Sequence, residues 1–243
     1  MRHSLLAAAL LTATLAACQG QAPTTPAAEG TAAPAASTQQ ADAKFDAITK
    51  RWLDEWMRLN PVSATQIGDH RFDSQIDDLS AAGRQAQLDF NKKLLGELDA
   101  IDAKALSREK QVDQLILRNQ VRGDIWSLET YQSWAWDPQV YNNVAGSALY
   151  NLMAREFAPM PERLKSATAR MQKIPALFAQ MRENLDPARV PRIHAETVAK
   201  QNAGVVGIVD QFIVPAADQL TGEDRKQLDA AIEGLRKAVA EHQ

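Results

Sequence analysis

Apolar residues recur at three- and four-residue intervals along most of this chain. No stretch alternates with the period of two that a half-buried strand requires. Phe45, Ile48, Trp52, Trp56 and Leu59 share one helical face, and Asn60-Pro61 predicts the end of that helix. A loop is expected through Gly68 to Leu79. Ser80 then caps a long helix carrying Leu88, Leu94, Leu95, Leu98 and Ile101, and Ser107 caps another with Leu117, Val121, Ile125 and Leu128. The segment Tyr131 to Tyr141 has no such stripe and contains Asp137-Pro138, so it reads as a loop. Shorter helices follow: one with Leu149, Leu152, Met153 and Phe157, one opened by Pro161 with Leu164 and Met171, and one opened by Pro175 with Phe178, Met181 and Leu185. Pro187 and Pro191 punctuate the next connection. Val198, Val205, Val209 and Phe212 then mark a long helix that Pro215 should kink or end. Thr221 and Asp224 form a capping pair for a last helix with Leu228, Ile232, Leu235 and Val239. The pattern predicts an all-α protein, a multi-helix array.

Ahead of the first helix the pattern changes twice. Arg2 and His3 precede an unbroken run of apolar and small residues from Leu5 to Ala17, too short to span a bilayer but laid out as a secretory leader. Leu15-Ala16-Ala17-Cys18 closes it and resembles the lipobox of bacterial lipoproteins, which implies cleavage before Cys18 and acylation of that residue. Two or more acyl chains exceed what reversible binding allows, at roughly 0.8 kcal/mol per buried methylene. The lipid bilayer is therefore an expected partner. Gln19, where retained lipoproteins carry Asp, points to the periplasmic face of the outer membrane. From Gln19 to about Ala41 the chain is mostly Ala, Pro, Thr, Gln and Gly, with Glu29 its only charge and no large apolar residue, so a disordered tether is expected, reaching roughly 25 Å. The expected organisation is residues 1–17 as signal peptide, 18–41 as lipidated cysteine and linker, and 42–243 as helical domain.

Composition narrows the function classes. A net charge of -3 gives no electrostatic footprint for nucleic acid. Cys18 is the only cysteine, so the helical part has no disulfide or thiolate metal site and is held by packing. Its apolar stripe runs to Val239 without a Gly cap, a Pro or a polar tail, from which the helical domain is expected to be incomplete at its C-terminus.

Several short motifs occur in a definite order: Pro61, Ala64-Thr65, Gly68-Asp69-His70, Asp77-Asp78-Leu79-Ser80, Gln111, Asp113 and Leu117, then Trp136-Asp137-Pro138 with Tyr141, Phe157-Ala158-Pro159, Arg163-Leu164, Ile174-Pro175 and Asn184-Leu185. From Phe45 onward the chain resembles the N-terminal half of the bacterial domain-of-unknown-function family 885, whose members are often secreted lipoproteins. That family resembles all-helical zinc metallopeptidases of the gluzincin type. The resemblance implies peptidase activity and bound zinc for a complete member, with a peptide as substrate, through an H-E-x-x-P-G-H motif in the C-terminal half. Such a motif needs two histidines one helical turn apart on the metal and a glutamate as base. The four histidines here, His3, His70, His194 and His242, are not spaced that way, so no zinc ligand and no catalytic residue carries over and no cofactor is expected in this chain.

Among the remaining candidates, Asp69-His70-Arg71 is the most chemically mixed cluster. It could face a substrate channel, but a capping or turn network against the first helix is the favoured reading. His194-Ala195-Glu196 matches half of a zinc-deaminase signature whose cysteines are missing. Tyr131, Trp134, Trp136 and Tyr141 could form an aromatic platform, though packing at a helix junction is favoured. Asp77-Asp78 and Glu223-Asp224 sit by helix starts, where the dipole favours them. No serine lies in a G-x-S-x-G setting.

Two functional expectations follow. One is the N-terminal helical region of a zinc-peptidase-like envelope lipoprotein, inactive without its other half, which predicts an uncovered apolar face on the helices nearest the C-terminus. The other is a non-catalytic helical lipoprotein that binds a partner or scaffolds the envelope, which predicts a closed core and one contact patch.

Overall fold

The computed structural model describes residues 35–242. The expected signal peptide, Cys18 and most of the linker lie outside the described residues. Within them the chain is a multi-helix array without strands: α1 (Ala36–Leu59), α2 (Pro61–Ile67), α3 (Ala81–Asp99), α4 (Arg108–Trp126), α5 (Gln139–Met153), α6 (Met160–Met171), α7 (Ile174–Asn184), α8 (Arg192–Gln201), α9 (Ala203–Ile208) and α10 (Gly222–His242).

Two apolar clusters organise these helices. The smaller joins α1, α3 and α4 through Phe45, Ile48, Leu94, Leu98, Leu117 and Val121. The larger gathers α5, α6, α7, α9 and α10 around Leu149, Leu164, Phe178, Val205, Leu228 and Leu235, all at most 2% exposed. Each such side chain contributes about 1.5–3 kcal/mol relative to exposure, so the larger cluster dominates the stability. Of the expected serine caps, Ser107 stands at the N-cap of α4 without a side-chain capping bond, whereas Ser80 and the prolines act as the sequence indicates. Ser80 Oγ accepts from Gly83 N–H at 3.1 Å, and Pro161 and Pro175 occupy the first turns of α6 and α7.

Four departures are instructive. Helix α1 begins at Ala36, inside the expected linker, because Ala and Gln have high helix propensity and a nucleated helix can extend into solvent without a buried face. Residues 61–67 form a helix that the periodicity does not mark. Pro61 at the first position and Gly68 at φ +96° bound a turn too short to show a period. The segment 131–141 is not one loop: a π-turn at Ser127–Tyr131 extends α4, a 3-10 turn follows at Ser133–Ala135, and α5 starts at Gln139. Finally, α10 is covered rather than bare, with Leu228, Ala231, Leu235 and Val239 all at most 5% exposed. Exposed large apolar side chains occur on several elements, Leu53, Ile67, Ile193 and Val214 among them, but on α4 three of them, Val112, Leu115 and Ile116, share one outward face at 42%, 68% and 62% exposure.

Gly83, at the third position of α3, is fixed by a close approach. A Cβ there would overlap the Asp78 carbonyl oxygen and stand 2.7 Å from Asp78 Cγ. The Gly83→Ala variant is expected to lose about 2 kcal/mol in urea unfolding, the cost of moving backbone outweighing alanine's helix propensity of up to ~1 kcal/mol. An unchanged or raised midpoint would show that the 78–83 turn yields freely.

Candidate functional site

Asp69, His70 and Arg71 fall on one turn between α2 and α3. Asp69 caps the short 3-10 turn His70–Phe72 by accepting from Arg71 N–H at 3.0 Å, and Arg71 reaches both Asp69 (2.6 Å) and Asp54 on α1 (3.0 Å). Hydrogen bonding to Arg71 holds the Asp69 carboxyl below its ordinary range. His70 stacks on Phe157 with 3.6 Å between ring centres, and its Nδ1 lies 3.0 Å from Asp73 Oδ2. The partner of His70 is thus a side chain rather than backbone, and its ring edge remains one third exposed. The three residues tie α1, the turn and the segment before α6 into one network.

That network leads inward to an ionic hub that the sequence did not disclose. Arg170, on α6, is fully buried. Its guanidinium donates to the carbonyls of Gln75 (2.7 Å), Ala148 (2.8 Å) and Pro61 (3.1 Å) and to Thr65 Oγ1 (2.7 Å), and Thr65 in turn donates to Asp73 Oδ1 at 2.6 Å. Burial lowers the Arg170 pKa to about 10, against the pull of Asp73 and Asp77, so it is charged at neutral pH. Asp77 is also buried. Its Oδ1 accepts from Val62 N–H at 3.0 Å, capping α2 from a distance, and desolvation raises its pKa to about 6. Only the pairing of Asp77 with Asp78 near a helix start was legible; a lone Arg on an amphipathic helix carries no sign of burial.

The other candidates are fixed in structural roles. His194 Nδ1 lies 2.9 Å from Asp137 Oδ1 and 3.0 Å from Gln139 Nε2, while Glu196 turns away to Arg192 at 2.5 Å. Among the described residues no three His, Cys, Asp or Glu side chains come together as a metal site. Tyr141 is buried, donating to Trp134 O at 2.7 Å, and Arg84 lies 3.9 Å over the Trp134 ring. Trp126, Tyr131 and Trp136 form a chain of ring contacts 5.2–5.3 Å apart that reaches His194 at 5.5 Å. Trp126 is 54% exposed, so this chain is partly an open surface.

One cleft opens beside the smaller core, between α1, α3 and the end of α4. It encloses about 140 Å³, has Trp56 and Phe90 as aromatic walls, and presents Asn91, Asp124 and Ser127. Asn91 on α3 is 7% exposed; its carboxamide makes no hydrogen bond to another described residue, and its amide atoms are not sealed from solvent. Burial raises the Asp124 pKa above its ordinary value, and its carboxylate accepts from Gln120 Nε2 at 2.9 Å. The π-turn begins at Ser127, changing the helical phase at the rim of the cleft. A second cleft of about 470 Å³ adjoins it, sharing Leu59 and Gln87. Sequence periodicity located the walls, as core, but had no means of marking Asn91.

The profile of a family described as "Bacterial protein of unknown function (DUF885)" matches residues 61–243. A solved structure from Shewanella oneidensis, described as "a putative lipoprotein of unknown function", is similar at 28% identity with a TM-score of 0.76. The match covers 82% of this chain and 36% of that one, so this chain spans little more than a third of the length of its structural relative. No curated protein matches it.

Proposed function

Because this chain belongs to the bacterial DUF885 family, uncharacterised in function, we propose that it is a lipid-anchored helical unit of the cell envelope that works by docking rather than by catalysis. The observation that carries the reading is the distribution of apolar surface. The cores, including α10, are closed, while the outer face of α4 leaves Val112, Leu115 and Ile116 in water. Clustered apolar exposure of this kind marks contact surfaces. The Shewanella relative described as a lipoprotein supports the anchor, as does the Leu15-Ala16-Ala17-Cys18 leader. No described helix is long and apolar enough to cross a membrane, which leaves acylated Cys18 as the proposed attachment.

A second reading is favoured by length. The structural relative is far longer than this chain, in keeping with a helical region that lines one wall of a peptidase-like channel whose zinc and base lie elsewhere. In that case Asp69, His70 and Arg71 border the channel, and the α4 face packs on the rest of the protein.

One experiment in bacterial cells tests the docking reading. With a photocrosslinking residue in place of Leu115 or Ile116, the membrane fraction is expected to yield an adduct of defined mass, absent with the same residue at the exposed Gln227 of α10. The Cys18→Ser variant is expected to move the protein to the soluble fraction. A missing adduct would refute docking through α4, retention of Cys18→Ser on the membrane would refute the anchor, and peptide hydrolysis by the purified chain would refute the non-catalytic role.

A further inference from the structure

The small cleft beside α3 holds polar groups that the fold itself does not use. Asn91 is 7% exposed, and its unpartnered carboxamide opens on the cleft rather than being sealed inside the core. The Asp124 carboxylate shares this cleft, bonded only to the neutral Gln120, and no Lys or Arg lines it. Ser127 adds a hydroxyl, and Trp56 and Phe90 present aromatic surface. A half-buried carboxylate without a neighbouring cation repels anions and gains little from a neutral guest. A compact cation satisfies it and is also attracted to an aromatic face.

We propose that this cleft binds a primary ammonium group, whose three N–H donors match three acceptors: the Asp124 carboxylate, Asn91 Oδ1 and Ser127 Oγ. The remainder of the ligand passes Leu59 and Gln87 into the adjoining larger cleft. This gives a partner to an amide that the fold leaves facing the cleft without a bond to any other described residue. The assignment stands apart from the docking face of α4, which lies on exposed residues outside the cleft.

The test is a titration of the isotope-labelled full chain with n-butylammonium chloride, followed through the Trp56 indole and Asn91 carboxamide resonances. Saturable shifts in the millimolar range are expected, as befits so small a ligand. Tetramethylammonium, which has no N–H, should bind at least about tenfold more weakly, and glucose should produce no saturable shift. Asp124→Asn, on a partly exposed position, should weaken butylammonium about tenfold or more with the fold intact. Asn91→Leu should do the same while raising Tm. Nα-acetyl-lysine methylamide separates the sources: binding as tight as butylammonium assigns the site to a lysine side chain of a protein partner, and weaker binding assigns it to a free small amine. The proposal is overturned if butylammonium gives no saturable shift, if all three probes act alike, if glucose binds better, or if Asp124→Asn binds unchanged.

Discussion

Arg170→Met is expected to lower the unfolding free energy by about 4 kcal/mol at pH 7, the largest effect of any single substitution considered. Methionine fills much of the volume, so the loss is not a cavity effect. It comes from the groups left behind: the carbonyls of Gln75, Ala148 and Pro61 lose their donor, and Thr65 Oγ1 loses one as well. Buried Asp73 and Asp77 also lose the nearby positive charge. Removing one member of a buried ionic network costs about 3–5 kcal/mol because the remaining charges are stranded in a poor solvent. Urea unfolding followed by circular dichroism measures it. Because Asp77 can neutralise by taking up a proton, the loss should be smaller at pH 5 than at pH 7. A loss below ~1 kcal/mol would mean that water reaches the hub and satisfies it.

The second large effect is a pH dependence that Asp77→Asn removes. The folded-state pKa of Asp77 is raised by desolvation to about 6 from an ordinary 3.8. Between these values the folded protein holds a proton that the unfolded chain has released. The stability contributed by the protonated form is therefore complete below pH ~3.8 and is lost as pH rises through about 6. At 1.36 kcal/mol per pH unit the loss approaches roughly 3 kcal/mol by pH 7.5. Asparagine stays neutral, and its Oδ1 can still accept from Val62 N–H. The stability of Asp77→Asn relative to the parent should thus rise by up to about 3 kcal/mol between pH 4 and pH 7.5. Parallel pH profiles for the two proteins would show that Asp77 does not titrate in this range. Combined with Arg170→Met, the effects should be non-additive, since the two buried groups attract each other across the hub.

How much of this was legible beforehand depended on whether a signal repeats. Leu117 and Val121 on α4, or Leu228 and Leu235 on α10, announce their burial because each sits in a stripe of period 3.6. Helix α2 could not announce itself, since seven residues hold too few repeats. The candidate cluster at Asp69, His70 and Arg71 was recognisable as chemistry, but its partners Asp54, Asp73 and Phe157 are recruited from elements distant in sequence. Arg170 and Asn91 gave no signal: a polar residue on an amphipathic helix is ordinarily a solvated one.

By itself, then, the order of apolar and polar residues determined an all-α array, most of its helices and capping residues, and the family to which it belongs. Those properties depend on neighbours three or four positions apart, whose geometry one helix already sets. The tertiary fold alone decided which polar groups lost their water. Desolvation is a property of everything packed around an atom: α2, α5 and the Gln75 segment bury the guanidinium of Arg170, and the small cleft encloses Asn91 beside the end of α4.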